Sequence, residues 1–269
     1  MNYGKKLWSV RRVEYMGRMG GTLRLKRYGA PRFWRLHVKE YKWAVHPTPG
    51  PHPLYGCIPL IVLLRDVLGM VETAREGKIV ISSGKVKVDG KPRRDYRYPV
   101  GLMDTVEIRD VGKAYRILPH PRYGLYPHEV TVDEASFKLC RIEDKTTTRG
   151  GHLQLNLHDG SNYLVKVSNP QNPTEDLYQT YDVLKLTLPD RAIADHVKLE
   201  KGVFAIIIGG KNVGLAGKIL EISGGPAKKA MLVTLEGKEG DHFTTPYEYV
   251  FPVGREAPLI SLPGWAMRG

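Results

Sequence analysis

The sequence is poor in three things. It holds only two cysteines, Cys57 and Cys140, with no CxxC pair and no histidine cluster beside either. That argues against a disulfide framework and a zinc site, and leaves both thiols as small buried hydrophobes in a reducing compartment. Long apolar runs are also missing. The longest uninterrupted aliphatic stretch, Leu60 to Leu64, is far too short to cross a bilayer, and no apolar region follows Lys5 and Lys6. A soluble, cytoplasmic protein with no membrane partner is expected. The third scarcity is of acids at the front of the chain, where residues 1–53 carry 12 Lys/Arg against 2 Asp/Glu.

Motifs for catalysis are scarce too. A phosphate-binding P-loop needs a first glycine and a hydroxyl after Gly-Lys, but Gly217-Lys218 has Asn212 at the first position and Ile219 at the second. HExxH and GxSxG are absent, and the paired carboxylates Glu143-Asp144 and Glu175-Asp176 lie in polar surroundings typical of loops. The nine histidines are scattered without ligand spacing. Neither a catalytic residue, a metal, a cofactor nor a small-molecule substrate is implied.

What the chain does have is positive charge, unevenly placed. Of 269 residues, 41 are Lys/Arg and 28 Asp/Glu, a net charge of +13. Residues 1–53 contribute +10 and 54–125 +5, whereas 126–202 carry −3 and 203–269 +1. An excess confined to the first half reads as a polyanion-binding surface with an arm, and nucleic acid leads anionic membrane as its partner. With 29 Gly and 19 Pro the chain favours turns and short strands over long helices. The expected fold class is α+β, mostly β, and multidomain.

Residues 1–53 interleave cations and aromatics with little periodicity, so this basic N-terminal extension should be ordered mainly by a partner. Its rings Trp34, Tyr41 and Trp43 suit either stacking on unpaired bases or pinning the arm to the next domain. Four prolines between His46 and Pro53 mark a boundary. From Pro59, apolar residues recur at helical spacing to Val71; Thr73 and Glu76 form a capping box for a second helix, with Gly84 just past its end. Then comes GKVKVDGKPRRD, residues 84–95, with Asp89-Gly90 as a two-residue hairpin turn that sets Val88 against Lys91, Lys87 against Pro92 and Val86 against Arg93. Pro92 has no amide for the ladder, so pairing should end by about Arg93 and leave Lys91, Arg93 and Arg94 swinging outward beside Lys85 and Lys87. Short alternating runs then suggest a small β domain to residue 202, with a small closed barrel from 203 to 254 and a tail of little signal at 255–269.

The block Leu25-Lys-Arg-Tyr-Gly-Ala-Pro-Arg-Phe-Trp34 resembles the opening of the S4e family, a small-subunit ribosomal protein of archaea and eukaryotes. Gly50-Pro-His52, Cys57-Ile-Pro-Leu-Ile61, Lys85-Val-Lys-Val-Asp-Gly-Lys91, Tyr98-Pro-Val-Gly-Leu-Met-Asp104, Lys138-Leu-Cys140, Gly209-Gly-Lys-Asn-Val-Gly214 and Ile260-Ser-Leu-Pro263 follow in the family's order. The resemblance implies an alpha-L RNA-binding domain at 54–118, a central β domain at 119–202 and an SH3-like barrel with a KOW motif at 203–254. Its expected partners are small-subunit ribosomal RNA and neighbouring ribosomal proteins. Family members begin only a few residues before the LKR block, so Met19 or Met16 is expected to be the initiator.

The expected RNA contacts are Lys26, Arg27, Arg32, Trp34 and Arg35 in the arm; Arg65, Arg75, Lys78, Lys85, Lys87, Lys91, Arg93 and Arg94 in the helix–hairpin unit; and Lys211, Asn212 and Lys218 in the barrel. The rival is an RNA-modifying enzyme of the pseudouridine synthase type, since alpha-L domains accompany those as well. It needs an Asp in a setting like Gly-Arg-Leu-Asp, and the nearest string, Gly101-Leu-Met-Asp104, lacks the Arg. A KOW-bearing transcription factor is disfavoured by the basic arm.

Overall fold

The computed structural model describes residues 24–37, 39–168, 176–225, 231–238 and 240–266; the expected initiators Met16 and Met19 lie outside them. Strand β1 (Leu25–Lys26) pairs antiparallel with β2 (Trp43–Ala44), which sets Lys26 opposite Trp43. Leu25 and Ala44 pack into the core, while Lys26 and Trp43 are exposed. Between the strands the chain makes a 3-10 turn at Arg32–Trp34 that drops the Trp34 indole into the interior. The arm is therefore held by its own chain, and the expectation that a partner orders it is corrected for these residues. The proline segment after it is likewise built in, since Thr48 N donates to Arg97 O at 3.0 Å and His52 is buried.

Strand β3 (Cys57–Pro59) leads into α1 (Leu60–Val62), which loosens into π-type turns over Leu63–Val67, where Leu68 N donates to Leu63 O. The expected one-sided helix to Val71 is shorter than its periodicity suggested. Leu60 to Leu64 are all buried, so this run has no solvent face, and Gly69 at φ +64° turns the chain away. Helix α2 (Ala74–Ser82) is capped by Thr73, whose Oγ1 accepts from Glu76 N at 3.2 Å, while the Glu76 carboxylate reaches back to Glu72 N at 3.1 Å. It can lie close to α1 because position 77 is glycine: a Cβ there would sit 2.6 Å from Ile61 Cδ1.

Next come β4 (Val86–Val88), β5 (Lys91–Pro92), β6 (Pro99–Gly101), β7 (Thr105–Ile108), β8 (Lys113–His120) and β9 (Gly124–Val130). β6 pairs with β3, and the others form one antiparallel sheet in the order β5-β4-β7-β8-β9 that runs on past residue 118. Asp89 and Gly90 both have positive φ, as a two-residue hairpin turn needs, and Lys87 faces Pro92 with Val88 facing Lys91.

After the short α3 (Val132–Ala135), a second sheet has the order β12-β11-β10-β13-β14. Its strands are β10 (Phe137–Thr147), β11 (Leu153–Leu157), β12 (Asn162–Val165), β13 (Val183–Thr187) and β14 (Ile193–Val197). The third sheet holds β15 (Phe204–Ile207), β16 (Ala216–Gly224), β17 (Met231–Glu236), β18 (His242–Pro246) and β19 (Val250–Gly254) in the order β18-β17-β16-β15-β19. Among the described residues β18 and β19 form no ladder with each other. The result is a half-barrel rather than the closed barrel expected, because a 3-10 turn at Tyr247–Tyr249 carries the chain across to pair beside β15.

The units share interiors. One core cluster joins Met103, Leu118, Leu139 and Val183 to the half-barrel residues Ala205, Ile206 and Phe251. Arg141 on β10 donates through Nη1 to the Glu248 and Val250 carbonyls at 2.8 and 3.0 Å, tying the second sheet to the third. The tail, which showed little in the sequence, buries Ile260 and Ala266, with Ala216 N donating to Ala266 O at 2.9 Å.

Candidate nucleic-acid interface

The cations fall into two populations, one already engaged by acids, carbonyls or rings of the protein and one left free at its surface. On the helix–hairpin unit, Arg75, Lys91 and Arg94 are exposed and have no ion-pair partner among the described residues. Lys78 lies 4.5 Å above the Tyr96 ring, and Arg97 is 5.7 Å from the same ring. A Cβ on Gly84, at the end of α2, would lie 3.8 Å from Arg94 Nε, so this helix end, the 91–94 turn and the 96–97 loop make one basic face. Arg97, which was not among the expected contacts, joins this face beside Tyr96 but is itself paired with Asp95 at 3.8 Å; the Tyr96-Arg97-Tyr98 run was the available signal.

Two expected members of that face stand elsewhere. Lys85 Nζ is 2.6 Å from Asp110 and Lys87 Nζ 3.3 Å from Glu107, so both project where acids already meet them. Arg93 is a correction. Its amide closes the ladder onto Val86 O at 3.0 Å, and its guanidinium folds back over the Tyr98 ring at 4.4 Å with Nε buried, rather than swinging outward. The aromatic face offers the planar cation a better seat than solvent does. Arg65 is held in a two-pronged pair with Asp66 at 2.9 and 3.1 Å.

In the arm, Lys26 and Arg32 are exposed and unpaired among the described residues. Arg27 donates to Leu36 O at 2.6 Å, and Arg35 sits 3.9 Å over Tyr123 and 4.8 Å over Tyr126, so both spend their charge on local structure. Trp34 is the clearest correction. It is 0% exposed and its Nε1 donates to Cys57 O at 2.6 Å, which leaves no face for a base. In the half-barrel, Lys211 and Lys218 are exposed and unpaired among the described residues and Asn212 is half-buried. Lys218 opens onto a cleft shared with Lys198, Lys201 and Arg255, to which Glu200 and Glu256 add opposing charge.

Three aspartates meet in a buried junction. Lys138 on β10 places Nζ 2.5 Å from Asp104, 2.7 Å from Asp89 and 3.3 Å from Asp159. Arg191 comes within 3.7 Å of Asp89 and 3.5 Å of Asp159, and His52 Nε2 lies 3.0 Å from Asp104. Burial opposes the charge on Lys138, but Asp104 and Asp89 outweigh it and hold its pKa well above the ordinary lysine value. Burial likewise works against ionised Asp104, yet Lys138 and His52 keep its carboxyl well below the usual range; Lys138 and Ser161 do the same for Asp159. Asp89 goes the other way, raised by burial and by Asp104. Gly101 is glycine because a Cβ there would meet the His52 ring at 2.3 Å. Asp104, the nearest approach to a synthase aspartate, is thus sealed under a lysine. Cys57 has no reactive role, since burial and then Asp104 push its thiol up to about 12.

Three family models match successive parts of the chain. The RS4NT domain matches residues 19–55, the S4 domain 59–106 and the ribosomal family S4e 111–193. A small ribosomal subunit protein eS4 of Staphylothermus marinus is 51% identical over 248 residues, covering 92% of this chain and 98% of that protein. The chain belongs to the ribosomal family S4e. The eS4 protein of Aeropyrum pernix is 49% identical over 253 residues, covering 94% of this chain and all (100%) of its own. The crystal structure of 30S ribosomal protein S4e from Thermoplasma acidophilum superposes with a TM-score of 0.60 at 32% identity, over 72% of this chain and 93% of that one.

Within the family frame, the motifs that carried the resemblance prove to be packing motifs. His52, Asp89, Asp104 and Lys138 come from four of them and meet in the one buried junction. Gly214, from a fifth, closes on the β8–β9 turn, where a Cβ would lie 2.7 Å from Pro121 Cδ. Ile260 and Ser261, from the last, fix the tail, with Ser261 N donating to Glu134 Oε1 at 3.1 Å.

Proposed function

We propose that this chain is a structural component of the small ribosomal subunit, cytoplasmic in location, that binds and braces folded ribosomal RNA and performs no catalysis. One observation carries the reading. Buried Lys138 is matched by carboxylates inside the fold and buried Arg141 by Glu143 at the surface, whereas Lys26, Arg32, Arg75, Lys91, Arg94, Lys211 and Lys218 stand exposed without an ion-pair partner among the described residues. Charges left unneutralised on a basic chain suit a polyanion, and release of its counterions would supply most of the affinity. The S4 domain match and the relatives named as small-subunit proteins support the same assignment.

The finer architecture proposed is a basic arm at 1–53, an alpha-L RNA-binding domain at 54–118, a central β domain at 119–202 and an SH3-like barrel with a KOW motif at 203–254. Supporting the last is the sheet order in which the final strand returns beside the first, after a 3-10 turn. Gly217 supports it too, as a residue whose Cβ would lie 2.3 Å from Glu236 O. Neighbouring ribosomal proteins are the proposed further partners.

The test is a salt titration of the full chain on protein-free small-subunit RNA. Affinity should fall steeply and linearly on logarithmic axes. Replacing Lys26, Arg75, Lys91 and Arg94 with Ala together should lower the slope by about 3 to 4, with thermal stability little changed. A slope untouched by the four changes would remove the surface charge from the mechanism.

A further inference from the structure

The arm hairpin has two faces, and only one of them is used by the fold. Leu25 and Ala44 turn inward to the core; Lys26 and Trp43, their neighbours in the ladder, stand outward as a directly opposed pair. The Trp43 indole is 46% exposed although it is among the largest apolar groups of the chain. The cations near it are Arg24, 6.0 Å from the ring centroid, and Lys42, 5.5 Å away, with Lys26 across the ladder. Two residues earlier Tyr41, 61% exposed, lies 5.6 Å from the Arg65 guanidinium. From Arg24 to Ala44 the sequence has a single acid, Glu40.

We propose that Trp43 is a stacking platform for an unpaired RNA base, with Arg24, Lys26 and Lys42 holding the phosphates on either side of it. An indole offers any base a π-face and needs no particular hydrogen-bonding edge, while the surrounding cations accept the backbone. A protein partner would be expected to bring apolar surface to match the ring, yet the immediate surround here is cationic, which favours the nucleic acid. This inference rests on the RNA-binding role proposed above and adds to it a specific preference for unpaired nucleotides at the arm.

The experiment compares two probes on the full chain: a short oligoadenylate, and a blunt RNA duplex with the same number of phosphates. Trp43→Ala should weaken oligoadenylate binding about ten- to a hundredfold and leave duplex binding within about twofold, while Trp43→Phe retains most of the single-strand affinity. Lys26→Ala with Lys42→Ala should weaken both probes. Equal losses on both probes from Trp43→Ala, or a loss matched by a large drop in melting temperature, would overturn the platform as a mere structural contact. So would an unchanged oligoadenylate affinity, or a Trp43→Ala chain that keeps both RNA affinities but no longer joins small-subunit particles; that last result would assign the ring to a protein neighbour. If the unmodified chain bound neither probe nor small-subunit RNA, the RNA-binding role itself would fall, and the platform with it.

Discussion

Lys138 shows how one side chain can join distant parts of a chain. Its side chain is 2% exposed, and its ammonium meets carboxylates from the β4–β5 turn (Asp89), the loop before β7 (Asp104) and the turn after β11 (Asp159). Taking such a charge out of water is costly, and three partners offset that cost together where one would not. Removing the lysine reverses the balance by leaving three carboxylates buried beside only the His52 ring and a half-buried Arg191. Lys138→Met, close in volume and uncharged, should therefore destabilise the protein by about 3 to 5 kcal/mol, read as a lower denaturant midpoint at unchanged slope. A change under about 1 kcal/mol would mean that water or Arg191 already screens the aspartates. Nothing in the sequence around Lys138 announced this role, since a lysine in Phe137-Lys-Leu-Cys140 reads as an exposed residue on an alternating strand. Its partners are brought in by sheet packing, which a linear pattern does not record.

At the scale of the element, the hairpin of residues 84–95 separates cations that look equivalent in sequence. Lys85 and Lys87 lie beside β7 and its following turn, which supply Glu107 and Asp110, while Lys91 and Arg94 lie past the turn and face none. Exposed pairs are worth little to stability, about 0 to 1 kcal/mol, but they do reduce the net charge presented to a polyanion. Lys91→Ala with Arg94→Ala should lower the salt slope of RNA binding by about 2, and Lys85→Ala with Lys87→Ala by less than about 1. A larger effect from the second pair would show that RNA displaces the acids. Turn type and register here were readable because Asp89-Gly90 sets them locally. The fate of Arg93 was not, because Tyr98 lies beyond the ladder. The same limit explains Trp34, Tyr41 and Trp43, three rings of similar sequence context. Only folding of the arm onto β3 distinguishes the buried one, with its bond to Cys57 O, from the two left outside.

For the whole molecule, the fact that buried polar groups join the units makes its stability sensitive to acid. His158 on the turn after β11 is held neutral by its contacts: Nδ1 accepts from Arg141 N at 3.1 Å, and Nε2 is placed to donate to Leu102 O at 3.2 Å. A second ring proton would displace the Arg141 amide and set a charge near Lys138. Burial first, and Lys138 next, accordingly push its pKa down to about 3. In the unfolded chain the same ring titrates near the ordinary value of about 6.5. Below that pH the unfolded state binds a proton that the folded state refuses, so stability falls as pH drops from about 6.5 towards 3, and is fully present above it. The loss from this one group reaches about 2 kcal/mol by about pH 5. Asp104 and Asp159, depressed in the fold, add their loss only below about pH 4, where unfolded carboxylates take up protons. Asp89, raised, acts in the opposite sense, gaining stability as pH falls through its raised folded pKa towards about 4. Over the interval between pH 7 and 5, His120 and His128, lowered first by burial as well, add to the same loss, so the share of His158 is the difference between the unmodified chain and a His158 variant. Melting temperatures measured across that interval should fall for the unmodified chain and stay flatter for His158→Gln, even if the variant starts lower at neutral pH; parallel curves would place the acid sensitivity in some other group.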